Sequence, residues 1–150
     1  MSINVNLKRK SILLIPLAYF IFRLSNVFLV TPFFDEYDSP EYFKWQIFPS
    51  FRPHGITSLY VIVGNEFFIC VIQAIVGSLV WIYLWFIVLK IINKYYIKVL
   101  FTFLFYYLGL SSIIIEQDTS LLSESLSLSA SLFLIGISIR IYIDRKNQNL

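Results

Sequence analysis

Three carboxylates stand close together at Asp35, Glu36 and Asp38, and they are followed by Arg52 and the chain's single histidine, His54. Crowded acids repel one another, so such a group could hold a divalent cation or keep one member as a general base. Arg52 and His54 supply the opposite chemistry. A guanidinium fits phosphate oxygens in a forked geometry, and the surrounding segment is otherwise acidic. Further along, Glu116, Asp118 and Glu124 form a second acidic group, with Glu124 inside the run LLSESLSLSAS. Plainer readings exist for each of them: Asp38 can cap a helix, its neighbours can be solvated acids, and Arg52 and His54 can contact lipid head groups. Cys70 is the only cysteine and lies in an apolar stretch, which excludes an intramolecular disulfide and suits a small buried hydrophobe.

What must position these residues follows from composition. Of the 150 residues, 58% are hydrophobic, 19% aromatic and only 14% charged, more apolar surface than a globule of this length can enclose. Four apolar stretches are long enough to cross a bilayer, at about 11–31, 66–89, 97–115 and 122–143. Each must be a helix, because amides facing lipid have no water to bond. The expected fold is therefore an all-α integral membrane protein, with residues 1–150 forming a single transmembrane unit. Lys8, Arg9 and Lys10 before the first stretch resemble a signal peptide, but the stretch is long enough to span and no small-residue cleavage site follows, so it reads as an uncleaved anchor.

Alternating helices place Lys8, Arg9, Lys10, Lys90, Lys94, Lys98, Arg140, Arg145 and Lys146 on one side, which is the cytoplasmic side by the positive-inside rule. Both termini are then cytoplasmic, and the carboxylates fall on the outer face. The formal charge of +3 is explained by topology and lipid head groups, with no nucleic acid as partner.

The connections are uneven. Residues 90–98 form a tight basic turn and 116–121 a short outer turn, whereas residues 32–65 form a long outer loop. Within that loop, Ser39 to Phe48 reads as an interfacial helix, with Asp38 or Ser39 as its cap, Pro40 in its first turn, and Tyr42, Phe43, Trp45, Ile47 and Phe48 toward the membrane. A second apolar stretch, Ile56 to Val63, is either another interfacial helix or the start of a longer, tilted second span.

Inside the spans, Arg23 lies near the middle of the first, where insertion of a charge costs about 2.5–3.5 kcal/mol. It should point into the bundle together with Asn26. Ser123, Ser127 and Ser131 recur at intervals of four with Ser138 beyond, a pattern suited to close helix packing, and Gln73 and Gly77 mark another packing face.

In order and spacing, four passages resemble the N-terminal part of the GT-C type glycosyltransferases, membrane enzymes that use polyprenyl-phosphate-linked sugars at the outer or lumenal face. They are the basic-flanked first span, YDSPEYF, FRPHGITSLYVIVGNE running into IQAIVGSLVWIYL, and LLSESLSLSASLFL. The resemblance implies Asp38 as catalytic base, with Asp35 as second choice and Glu124 as a further site acid. It implies that Arg52 frames the site or contacts donor phosphate, with His54, Glu36 and Tyr42 beside it in binding substrate. The implied reaction is direct displacement at the anomeric carbon with a polyprenyl phosphate leaving. A divalent cation is the only cofactor the carboxylates suggest.

Where that family has an Arg-Pro-Pro-Gly segment, this chain has Arg52-Pro53-His54-Gly55. Members of the family carry many more spans, so the expectation is a portion of a larger fold, with DRKNQNL as a cytoplasmic loop and the activity of the piece alone in question. The competing class is a non-enzymatic four-helix membrane protein: an accessory subunit docked on a larger membrane partner, an oligomer, or a small transporter. Either way the expected location is a bacterial plasma membrane, with membrane lipids as partners.

Overall fold

A computed structural model of the chain describes residues 3–30, 54–119 and 124–148, and all its elements there are helices. They are α1 (Ile3–Leu29), α2 (His54–Val63), α3 (Glu66–Ile91), α4 (Tyr95–Gly109), α5 (Ser112–Thr119) and α6 (Glu124–Gln148). By length and composition α3 and the Ser125–Lys146 part of α6 can each cross a membrane, and α4 with α5 makes a third crossing if the pair is one bent span. The apolar part of α1 described with its side chains, Leu14–Leu29, is shorter. The expected helix from Ser39 to Phe48 lies outside the described residues.

The break between α2 and α3 has a local cause. Gly64 takes φ 62°, a left-handed conformation that suits a residue without Cβ, and its amide closes the last turn of α2 on the Tyr60 carbonyl at 2.9 Å. Asn65 then caps α3, its side-chain oxygen accepting from the Phe68 amide at 3.1 Å. The stretch from Ile56 to Val63 is thus a separate short helix, not the first turns of a longer second span.

Helix α3 is the hub. Its buried residues, among them Ile69, Cys70, Gln73, Ala74, Gly77, Ser78, Trp81 and Trp85, recur at helical spacing along its whole length. It packs most extensively on α6 and next on α1. At one end of the bundle Val27, Tyr60, Ile69, Cys70 and Ala74 form an apolar cluster, with Leu126 packed against it. At the other end Tyr19, Trp81, Trp85 and Tyr106 form an aromatic one, flanked by Phe101, Phe105 and Leu132. The α3–α4 hairpin is tied by the Trp85 indole, which donates to the Thr102 hydroxyl at 3.0 Å, while that hydroxyl donates to the Lys98 carbonyl at 2.7 Å.

The third apolar stretch differs from its expected form. Helix α4 stops at Gly109, the chain bends by 47°, and α5 continues to Thr119. Residues 116–119 are therefore helical, where a short outer turn was expected. The bend carries Asp118 into the bundle.

A buried ion-pair layer as the candidate functional site

Between the two apolar clusters lies a polar layer centred on Arg23, which is 2% exposed. Its guanidinium grips Asp118 with two bonds, Nε to Oδ2 at 2.8 Å and Nη2 to Oδ1 at 2.6 Å. Its third nitrogen, Nη1, donates to the Tyr19 hydroxyl at 2.9 Å, and the Tyr19 ring lies 5.6 Å from the guanidinium carbon. Tyr19 donates onward to the Gly109 carbonyl at 3.4 Å, and Ser125 donates to Asp118 Oδ1 at 3.1 Å. Helix α1 brings the cation, α5 the carboxylate, α6 the serine and α4 the carbonyl, and α3 packs against the guanidinium. A buried charge is tolerable when paired and hydrogen-bonded in this way, and the layer is neutral overall.

Room for the guanidinium comes from α3. A Cβ on Gly77 would stand 2.7 Å from Arg23 Nη2, so the close approach requires glycine. One turn earlier, Gln73 is fully buried and its amide nitrogen donates to the Tyr60 hydroxyl at 3.1 Å. The Gln73–Gly77 pair is thus a packing face, as its spacing implied, and Gly77 is also the floor beneath the guanidinium.

On α6 the spacing of serines pointed to the wrong face. Ser127, Ser131 and Ser138 are exposed, and Ser131 and Ser138 donate back to carbonyls one turn earlier. The buried serines are Ser125 and Ser129, the first on Asp118 and the second on the Ser125 carbonyl at 2.8 Å. Intervals of four occur in both sets. Only the position of Asp118 selects between them.

Asp35, Glu36, Asp38, Tyr42 and Arg52 lie outside the described residues. His54 opens α2 and Glu124 opens α6, each described in its backbone only. The packing does bring their surroundings together. Val27 sits near the last turn before the loop, Tyr60 on the helix that His54 starts, Ile69 at the start of α3 and Leu126 two residues beyond Glu124, and all four meet in one cluster. Glu124 also adjoins Ser125, the partner of Asp118. Asp118 itself is not a solvated acid beside Glu124, because it is 1% exposed and occupied by Arg23.

The sequence put Arg23 inside the bundle with Asn26, whereas its partner is Asp118. The available signal was electrostatic: a deep cation needs a carboxylate, and the acids beyond the third apolar stretch are close at hand once helices alternate. Among the described residues no cluster of three or more His, Cys, Asp or Glu side chains could hold a metal ion. Comparison with protein-family models, curated proteins and solved structures finds no match to this chain.

Proposed function

We propose that this chain is a membrane-embedded unit of the glycosyltransferase kind, with four spans, both termini cytoplasmic and the acidic loop outside a bacterial plasma membrane, acting on a sugar carried by a polyprenyl phosphate. One observation supports the reading: the cluster of Val27, Tyr60, Ile69 and Leu126 gathers both ends of the loop carrying Asp35, Asp38 and Arg52, and the start of the Glu124 helix, at one end of the bundle. The lysines of the α3–α4 turn lie at the opposite end, with Arg145 and Lys146 in the last turn of α6. Along α3 itself Glu66 lies in the first turn and Lys90 in the last, the polarity this reading calls for.

In this reading Asp38 takes the proton of an acceptor hydroxyl while the acceptor oxygen bonds the anomeric carbon. The carbon–oxygen bond to the carrier breaks, and its electron pair leaves with the polyprenyl phosphate. Arg52 and His54 would neutralise that phosphate, Asp35 is the alternative base, and Glu36, Tyr42 and Glu124 would frame the sugar. The Arg23–Asp118 layer does no chemistry here; it fixes the helices from which the loop is suspended. The test is transfer from a polyprenyl-phosphate sugar in membranes containing the chain. The expected result is transfer that Asp38→Asn abolishes, and transfer that survives the substitution removes the base.

A second reading, a non-enzymatic accessory subunit, draws on α6. Little of its span is buried, and Phe133, Leu134, Ile135, Ile141 and Tyr142 are exposed along it. Such a face suits either lipid or a larger membrane partner. A complex of constant larger mass extracted from native membranes, with no transfer activity, favours this reading over the enzyme.

A further inference from the structure

Beside α4 runs an open groove of about 470 Å³, bounded by Ile15 of α1 and Leu89 of α3 and lined along α4 from Tyr95 to Leu110. Its wall is apolar almost throughout, with Val99, Phe103 and Tyr107 facing it, and among the described residues its one charged lining residue is Lys98, at the end where α4 begins. From Lys98 to Leu110 the helix rises about 18 Å, close to the depth of one leaflet of a bilayer whose hydrocarbon core is about 30 Å thick. An acyl chain lying in the groove would therefore carry its head group to Lys98.

The charge at that end has no carboxylate counterpart among the described residues. Lys98 is half-buried, Lys90 and Lys94 stand exposed on the same turn, and among the described residues none of the three has a carboxylate partner. An unpaired cation at the mouth of an apolar furrow, with two more beside it, is complementary to a phosphate that brings its own hydrocarbon. We propose that this groove binds an anionic glycerophospholipid, one acyl chain along α4 and the phosphate on Lys98. The proposal needs only that the bundle sits in a bilayer and is independent of the transferase reading.

The experiment uses the full chain reconstituted in vesicles of equal phosphatidylglycerol and phosphatidylcholine, gently extracted, with retained lipid identified by native mass spectrometry. The expected result is retention of phosphatidylglycerol over phosphatidylcholine by about fivefold, the effect of one basic residue near a membrane surface. Lys98→Gln should abolish that preference, Lys146→Gln at the far end of α6 should keep it, and Val99→Trp should lower phosphatidylglycerol retention by filling the furrow. Equal retention of the two lipids by the native chain overturns the proposal, as does a preference unchanged in Lys98→Gln or phosphatidylglycerol retention undiminished in Val99→Trp. Displacement of the retained lipid by inorganic phosphate would also overturn it, by showing that the lysines hold a free anion.

Discussion

Arg23 on the first helix and Asp118 on the fifth clasp each other through two hydrogen bonds of 2.8 and 2.6 Å, across 95 positions of sequence. No other ion pair among the described residues has both partners buried; the pair of Arg140 and Asp144, at 3.7 Å, is exposed on the surface of α6. Exposed pairs of that kind contribute little, whereas a buried one is decisive when broken, because the surviving partner is left charged in a medium that cannot solvate it.

Removing one partner is therefore the severest test of the bundle. Arg23→Leu and Asp118→Leu are each expected to destabilise the protein by about 3–5 kcal/mol. In the double variant most of that loss should return, since neither charge is then stranded. Unfolding in detergent, followed by loss of helical circular dichroism, measures all three, and additive losses would show that the two residues are not coupled.

Gly77→Ala tests the space beside the guanidinium. The new methyl group would lie 2.7 Å from Arg23 Nη2, so the cation or α3 must shift. The expected loss is about 1–3 kcal/mol, as for other overpacked sites. In an Arg23→Leu, Asp118→Leu background the same substitution should cost measurably less.

The two serine faces of α6 give a paired comparison. Ser125→Ala removes a donor from a buried carboxylate and should cost about 1.5–3 kcal/mol, the range for hydrogen bonds to charged groups. Ser127→Ala, on the exposed face, should stay within about 0.5 kcal/mol of the native chain. The reverse order would mean that α6 is rotated from the position described.

Sidedness can be read by labelling. With Cys70 replaced by serine, single cysteines at positions 54 and 124 should react with an impermeant maleimide from one side of the membrane, and cysteines at 94 and 146 from the other. A position 54 cysteine labelled from the same side as position 94 would separate the loop from the outer face and remove the basis of the transferase reading.

The sequence made the helical class and the extents of the second and fourth apolar stretches legible because lipid leaves a long apolar run no other backbone solution. The Gly64–Asn65 break was also visible as a boundary, although whether Ile56 to Val63 joined the second span stayed open until the left-handed glycine was seen. Two features were hidden for one reason. The bend after Gly109 makes residues 116–119, expected as an outer turn, the end of a helix whose Asp118 and Thr119 are buried, so Asp118 was assigned to water, and with it unplaced the serines at 125 and 129 had nothing to recommend them over those at 127 and 131. Hydrophobic periodicity says which residues leave water. It does not say which polar residues find each other. For the candidate site, the surroundings of His54 and Glu124 are gathered at one end of the bundle, while Asp35, Glu36, Asp38, Tyr42 and Arg52 lie outside the described residues.

The order in which the two halves of the ion pair leave the ribosome gives the buried layer a further meaning. At a synthesis rate of about 5–20 residues per second, Asp118 is polymerised about 5–20 s after Arg23, and throughout that interval the guanidinium lacks the carboxylate that holds it in the folded bundle. The buried clasp can therefore close only after the 95 positions from the cation to its carboxylate have been made.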